Sequence, residues 1–199
     1  MFRSASAREA DKLAQDRLKA TPDDVDAMRA LVMNAVAKED YQTAYDRNKT
    51  IVNAAKAEAS DLNGMAWQSL FFERAEGPDI ETAVKASQLS SNNAAILHTL
   101  GCLYTEKGQV KQAREVLVHA MDILGLDEPN ADYWYALGRI AEQYGENDIA
   151  VTDYARVDKP KSSFQIPDST YVLAQNRLRS MKLKNAVREA QLTSRESSQ

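Results

Sequence analysis

The sequence has few of the residues that interrupt helices, with seven glycines and five prolines among 199 residues. Runs of β-branched residues long enough to form strands are also absent. Most positions are filled by Ala, Leu, Lys, Glu, Gln and Arg, which lose little side-chain entropy when they enter a helix. We therefore expect an all-α protein, and the hydrophobic fraction of 44% is ordinary for a globular domain.

Cysteine and long apolar runs are scarce as well. Cys102 is the only cysteine, which excludes an internal disulfide, fits a reducing compartment and is compatible with an oxidising one. No apolar run approaches the roughly 20 residues needed to cross a bilayer. Residues 1–20 carry charges where a signal peptide needs an apolar stretch. We therefore expect no membrane span, and the chain taken alone points to the cytoplasm.

An excess of charge of one sign is also missing, because 25 basic and 29 acidic residues are mixed along the chain and give a net charge of −4. Without a positive field, nucleic acid is not an expected partner. The paired acids Asp23-Asp24 and Asp127-Glu128 precede predicted helices, where negative charge favours the positive end of the macrodipole. We interpret them as caps and not as acid–base catalysts.

Residue types that carry chemistry are not clustered in the sequence. His98 and Cys102 lie four residues apart and share one face of a predicted helix, but a structural zinc needs four ligands. The only other histidine, His119, belongs to a different predicted helix. No Cys-His or Ser-His-acid spacing stands out, and no Gly-rich phosphate loop is present. We therefore expect no metal, no cofactor and no enzymatic activity.

Two segments of the second half share a spaced pattern. Each has a large residue, then a Leu-Gly pair, then a second Gly seven residues after the first, and an Ala twelve residues after the first. The members are Leu97, Leu100, Gly101, Gly108 and Ala113 in one segment and Trp134, Leu137, Gly138, Gly145 and Ala150 in the other. The first glycine lets a paired helix approach closely, and the second accepts a backbone conformation that is costly for other residues.

The first half carries the same pattern less faithfully. The twelve-residue step separates Val32 from Ala44 and Phe71 from Ala83. The turn after Val32 has Glu39 where the later segments have glycine, and Gly77-Pro78 supplies the turn after Phe71. The anchoring leucines stand 39, 30 and 37 residues apart, at positions 31, 70, 100 and 137. We therefore expect a long second helix near 41–57 and a short one near 79–90.

This pattern resembles the tetratricopeptide repeat (TPR), a helix–turn–helix unit of about 34 residues. The resemblance implies a single TPR-like solenoid over 1–184, a right-handed superhelix of about eleven antiparallel helices. Irregular repeats are expected at about 25–58, 61–91, 94–124 and 131–158. A half-repeat helix at 4–20 precedes them, a loop at 158–168 and a capping helix at 168–184 follow, and 185–199 is a polar tail that we expect to fray.

Helix starts are marked independently by capping residues. Four clusters of Ser, Thr, Asp, Asn and Pro each precede a predicted first helix of a repeat. They begin at Thr21, Ser60, Ser91 and Pro129. The boundaries that they indicate agree with the repeat assignment.

A narrower resemblance covers about 93–184, which is similar to the C-terminal TPR regions of large bacterial proteins that carry a transglutaminase-like domain. It implies no catalytic residue in this chain, because that domain would lie outside the sequence. The chain also opens on half a repeat, as a piece of a longer protein would. An exported bacterial parent would place it outside the cytoplasm.

The TPR resemblance also implies where a partner binds. TPR families bind along the concave face made by the first helix of each repeat, one and five residues after its opening large residue. Trp67, Trp134, Tyr104 and Tyr154 occupy signature positions and are expected in the core. With one further turn, the partner-binding residues are expected to be Arg29, Met33, Gln68, Phe72, His98, Cys102, Glu106, Tyr135, Arg139 and Glu142.

The expected function is therefore a protein- or peptide-binding scaffold that does no chemistry of its own. One alternative is an accessory TPR region that positions a catalytic domain of a larger bacterial enzyme. A second alternative is self-association, in which the groove receives a helix or tail from another copy, such as 185–199.

Overall fold

The computed structural model describes residues 2–54, 57–72, 79–160 and 167–196, and the side chains of these residues from 8 to 183. Over these residues the protein consists of ten helices and contains no strand, which confirms the expected all-α class. The helices are α1 (Phe2–Ala20), α2 (Val25–Ala37), α3 (Tyr41–Asn53), α4 (Ala59–Gln68), α5 (Ile80–Leu89), α6 (Ala94–Glu106), α7 (Val110–Leu124), α8 (Ala131–Gln143), α9 (Asn147–Ala155) and α10 (Thr170–Glu196).

Capping side chains begin several helices where the sequence indicates a start. Asp24, Asn93 and Asn130 each accept a hydrogen bond from a backbone N–H in the first turn of α2, α6 and α8. At α4 the expected cap at Ser60-Asp61 is wrong by two residues. The helix begins at Ala59, and the Asp61 side chain instead accepts from the backbone N–H of Glu58 at 2.9 Å.

Turns between paired helices use a left-handed residue at one fixed place. Gly108 and Gly145 have φ of 69° and 79°, seven residues after Gly101 and Gly138. Glu39 has φ of 59°, so a residue with a side chain adopts the conformation that glycine adopts in the later turns. The corresponding turn at Gly77-Pro78 lies outside the described residues.

Glycine permits a close helix crossing in each of the last two pairs. A Cβ on Gly101 of α6 would come within 2.5 Å of Leu117 on α7. One on Gly138 of α8 would come within 2.6 Å of the Tyr154 ring on α9. Both crossings are too close for any larger residue without movement, which confirms the role expected of these two glycines.

Helices pack mainly on their neighbours along the chain, and the tightest pairs are α2 with α3, α4 with α5, α6 with α7, and α8 with α9. We call α2, α4, α6 and α8 the first helices, and the side of the molecule that they form the inner side. On this side α4 packs on α6, α6 on α8, and α8 on α10. Among the described residues α2 and α4 do not pack directly on each other, which leaves a gap between them.

Three helix lengths bear on the expected boundaries. The short helix near 79–90 is confirmed as α5, whereas α3 ends at Asn53 and so is shorter than the expected 41–57. The last helix, expected over 168–184, continues to Glu196. Residues 185–196 are rich in Ala, Arg, Glu, Gln and Leu, which have high helix propensity. The fraying expected of the tail stays a prediction, and 197–199 lie outside the described residues.

No helix among the described residues has both the length and the apolar character needed to cross a membrane. The loop expected at 158–168 is confirmed at its two ends, since residues 157–160 and 167–169 are not helical. Residues 161–166 lie outside the described residues.

Candidate functional site

The residues expected to bind a partner fall into two groups in the structure. Arg29, Met33 and Gln68 line one open space of about 500 Å³ between α2 and α4, which we call the groove. His98 lines a second space of about 660 Å³ between α4, α6 and α8, which we call the cleft. The remaining residues of that set within α6 and α8 are held in contacts inside the protein. The inner side is therefore open at the groove and at the cleft, beside the N-terminal ends of α6 and α8, and closed toward the C-terminal ends of α6 and α8.

The groove combines an exposed apolar rim with an arginine that is paired with two carboxylates. Met33 is 73% exposed, and Val32 and Val36 line the same wall. From the same helix, the Arg29 guanidinium reaches the start of α4 and donates two hydrogen bonds to Asp61, at 2.9 and 2.8 Å, and one to Glu58 at 2.8 Å. This two-point geometry fixes the guanidinium plane across the gap between α2 and α4. The groove consequently has polar hydrogen-bonding groups but no unpaired charge on Arg29.

A buried amide pair lies beside the same groove. Asn48 of α3 donates to the Gln68 carbonyl oxygen of α4 at 3.0 Å, and both side chains are buried. Gly64 leaves room for this pair, since a Cβ there would lie 3.1 Å from the Asn48 amide nitrogen. Gln68 thus contributes a polar surface whose orientation is fixed by its partner.

Phe72 follows the end of α4 and is half-buried. Its ring packs edge-on against Tyr45 of α3, with ring centroids 5.6 Å apart. It lies next to residues 73–78, which are outside the described residues, and is not among the residues that line the groove or the cleft.

The His98 and Cys102 side chains meet in the structure but are held in neutral forms. The Cys102 sulfur is 3.5 Å from His98 Nε2, which is also 3.1 Å from the backbone carbonyl of Asp132. Burial lowers the pKa of the His98 imidazole and raises the pKa of the Cys102 thiol. A reactive cysteine needs the opposite shifts, toward thiolate and imidazolium. The pair therefore has the character of core packing, and Cys102 is fully buried.

Four residues of α6 and α8 expected to bind a partner are joined to one another. The Arg139 guanidinium donates to both oxygens of Glu106, at 2.6 and 2.9 Å, and to Glu142 at 2.7 Å. Tyr135 donates its hydroxyl to Glu106 at 2.6 Å. Tyr135 and Arg139 are buried, so little of either side chain is left for a partner. This network ties α6 to α8 across the inner side.

Glu142 extends the network toward the C-terminus. It accepts hydrogen bonds from Tyr154 of α9 at 2.6 Å and from Arg177 of α10. Burial alone would raise the pKa of the Glu142 carboxyl, but the hydrogen bonds from Arg177, Tyr154 and Arg139 outweigh burial and lower this pKa to about 2. The carboxylate is thus a fixed anion that joins three helices.

Sequence reasoning missed a segment of the chain that crosses the inner side. We call residues 167–170, Pro-Asp-Ser-Thr, the strap. Tyr41 of α3 donates its hydroxyl to the backbone carbonyl of Pro167 at 2.8 Å, and Trp67 of α4 donates its indole N–H to that of Asp168 at 2.7 Å. At the other end, Thr170 donates its hydroxyl to the Asp132 carboxylate of α8 at 2.9 Å. The strap therefore ties the two halves of the molecule together.

Across the described residues, no group of three or more His, Cys, Asp or Glu side chains is arranged to hold a metal ion. The fold and the site define an all-α protein of consecutive helix pairs, open on one part of its inner side and closed on the other. No protein-family model matches the chain, and comparison with curated proteins gives no match.

Proposed function

We propose that this chain is a TPR-like superhelix that binds an extended segment of a protein or peptide on its inner, concave side. Three features support this architecture. Helices follow one another in pairs, glycine permits the crossing at the same position of the last two pairs, and a left-handed residue stands seven positions later in three turns. In this proposal the protein acts by binding and contributes no catalytic step.

One observation carries the proposal, namely that the inner side already binds a piece of polypeptide through its backbone. The strap forms a turn at the start of α10, and Tyr41 and Trp67 donate to its carbonyl oxygens and not to its side chains. Donors aimed at carbonyls can bind a backbone whatever side chains it carries. The groove beside the strap adds an apolar wall that includes Met33, Val32 and Val36.

The chemistry of the groove indicates how a peptide would bind there. An apolar side chain of the peptide contacts Met33, Val32 and Val36, and this burial supplies most of the affinity. Because Arg29 is already paired with both Asp61 and Glu58, an acidic group of the peptide gains little from it. Binding is therefore expected to depend strongly on the apolar contact.

A displayed library of random peptides tests this function. Peptides selected on the intact chain should bind it in solution. Met33→Glu should weaken their binding roughly tenfold or more, because the new carboxylate would lose water when an apolar side chain of the peptide packs against it. Leu13→Glu is the matched control, since Leu13 is a similarly exposed apolar residue at 65% on α1 and does not line the groove. If the selected peptides bind Met33→Glu and Leu13→Glu with equal affinity, they bind outside the groove and the proposal is refuted.

A further inference from the structure

The strap divides one continuous surface of the inner side into two spaces. Pro167 and Asp168 form one end of the groove, and Asp168, Ser169 and Thr170 form one end of the cleft. On α4 the adjacent residues Trp67 and Gln68 line the cleft and the groove respectively. If the strap moved away, the groove of about 500 Å³ and the cleft of about 660 Å³ would meet along α4.

The strap is held by few and specific contacts. Its hydrogen bonds to the helices come from Tyr41, Trp67 and its own Thr170, at 2.8, 2.7 and 2.9 Å. Each of these is a single hydrogen bond that a peptide in the same place could replace. The strap therefore binds the inner side in the manner proposed for a partner, through backbone carbonyl and hydroxyl groups.

Features at the strap and beside it oppose its binding. Among the described residues, no group hydrogen-bonds to the buried Ser169 hydroxyl oxygen or to the buried Asn63 carbonyl oxygen, and both residues line the cleft. Each unsatisfied atom costs free energy that a better-matched ligand would recover. Burial also raises the pKa of the Asp168 carboxyl, so keeping this group charged in place is unfavourable at neutral pH. The strap is an imperfect ligand of its own protein.

We infer that the strap is an internal competitor for the inner side, and that a partner segment longer than the groove binds by displacing it and joining groove and cleft. The inference rests on the proposed function and adds its regulation. The partner it selects is a segment that forms a similar turn and presents two successive backbone carbonyls to Tyr41 and Trp67 and a hydroxyl to Asp132. Affinity for such a segment is lowered in proportion to the small fraction of molecules whose strap is released.

A synthetic peptide with the sequence of the strap provides the probe. We use an end-blocked, fluorescent Pro-Asp-Ser-Thr-Tyr-Val peptide, the sequence of residues 167–172. Thr170→Val removes the hydroxyl that holds the strap to Asp132 and leaves Tyr41 and Trp67 unchanged. The peptide should bind this variant roughly tenfold more tightly than the original chain, because its own threonine takes the vacated acceptor. Thr152→Val is the matched control, since the Thr152 hydroxyl donates to the backbone carbonyl of Asp148 within α9, at an exposed position.

A second variant identifies where the peptide binds. Trp67→Phe removes the indole N–H and keeps an aromatic ring, so it takes away one donor that the strap and the peptide share. Added to Thr170→Val, it should weaken peptide binding several-fold relative to Thr170→Val alone. Hydrogen exchange supplies a reading that needs no ligand, because Thr170→Val should speed exchange of the backbone amides of residues 168–170 and leave those of α8 unchanged.

The outcomes separate this inference from the proposed function. Equal peptide affinity in the original chain and in Thr170→Val, or no binding to either, overturns the competition. In that case the proposed function stands if library peptides still depend on Met33. The competition is also overturned if Thr170→Val binds the peptide more tightly but the added Trp67→Phe does not weaken this binding. The peptide would then lie away from the strap. Tighter binding that requires Trp67, with faster exchange in the strap, supports the competition.

Discussion

The two halves of this molecule use their inner sides differently. In the half formed by α6 to α10, buried side chains from Leu97 to Met181 form one continuous core, and the charged residues of the inner side pair with one another. In the half formed by α1 to α5, the buried residues form several small clusters, and a groove separates α2 from α4. Pairing across the inner side therefore closes the half formed by α6 to α10 beyond the cleft, and weaker pairing leaves the groove of the other half open.

Each half has an arginine that joins two first helices, although the two arginines occupy different positions of the repeat. Arg139 joins α8 to α6, and Arg29 joins α2 to α4, each through two hydrogen bonds to one carboxylate. The side chain of Arg139 is 7% exposed and that of Arg29 is 31% exposed. A similar ion pair is therefore buried in the closed half and partly hydrated in the open one.

Replacing these arginines should produce the largest difference between the halves. Arg139→Met leaves Glu106 buried without its arginine and removes one of the two arginines that bind Glu142, and we expect a loss of about 3–5 kcal/mol in the free energy of unfolding. Arg29→Met should lose on the order of 1–2 kcal/mol, because water reaches its partners more easily. Urea denaturation of both variants measures this. Equal losses would contradict the view that burial of the arginine distinguishes the halves.

Acid should weaken the closed half through Glu142. Its pKa is about 2 in the folded protein against an ordinary 4.5, so the folded state favours the ionised form. The resulting stabilisation, on the order of 2–3 kcal/mol, is fully present above pH about 4.5 and is lost as the pH falls toward 2. Glu142→Gln should remove this part of the pH dependence of unfolding.

Glu115→Gln, which changes an exposed acid on α7, serves as the control for that titration. The urea midpoint of each variant is measured from pH 7 down to pH 2.5. If Glu142→Gln and the original chain lose stability in parallel over this range, Glu142 is not the group responsible.

Much of the closed half could be predicted from the sequence because its determinants are local or exactly repeated. Gly101 and Gly138 share a register with the glycines of the following turns, and the caps at Asn93 and Asn130 lie beside the helices they begin. Local rules therefore sufficed for the helix pairs. They could not say which inner residues pair with each other.

The pairing of the inner residues has a weaker signal that sequence reasoning did not use. Arg139 and Glu106 are 33 residues apart, and Arg29 and Asp61 are 32 apart, which is close to one repeat. Opposite charges at that spacing on first helices predict an ion pair between repeats. The strap has no comparable signal, because Trp67 contacts Asp168 across 101 residues through a backbone carbonyl, to which any residue type contributes.

Filling the glycine crossings should damage the closed half more than the open one. Gly138→Ala puts a methyl group 2.6 Å from the ring of Tyr154, which is fully buried and tied by its hydroxyl to Glu142. We expect a loss of about 1–3 kcal/mol. Gly64→Ala in α4 meets only the Asn48 amide nitrogen at 3.1 Å and should cost less, since alanine also favours the helix. Thermal unfolding of both variants checks the order, and a larger loss for Gly64→Ala would reverse it.

The smallest expected effect is a gain, at the turn after α2, where Glu39 adopts a left-handed backbone conformation. Glu39 has φ of 59°, a conformation that costs a residue with a Cβ roughly 1–2 kcal/mol and costs glycine little. Because glycine also loses more backbone entropy on folding, Glu39→Gly should stabilise the protein by only about 0.5–1 kcal/mol. Gly145→Ala, the reverse change at the equivalent turn of the closed half, should destabilise it by a similar amount, because open space around Gly145 leaves backbone conformation as the main difference. Urea denaturation of the two variants gives both values, and a loss of stability in Glu39→Gly would mean that the glutamate side chain contributes more to this turn than its backbone costs.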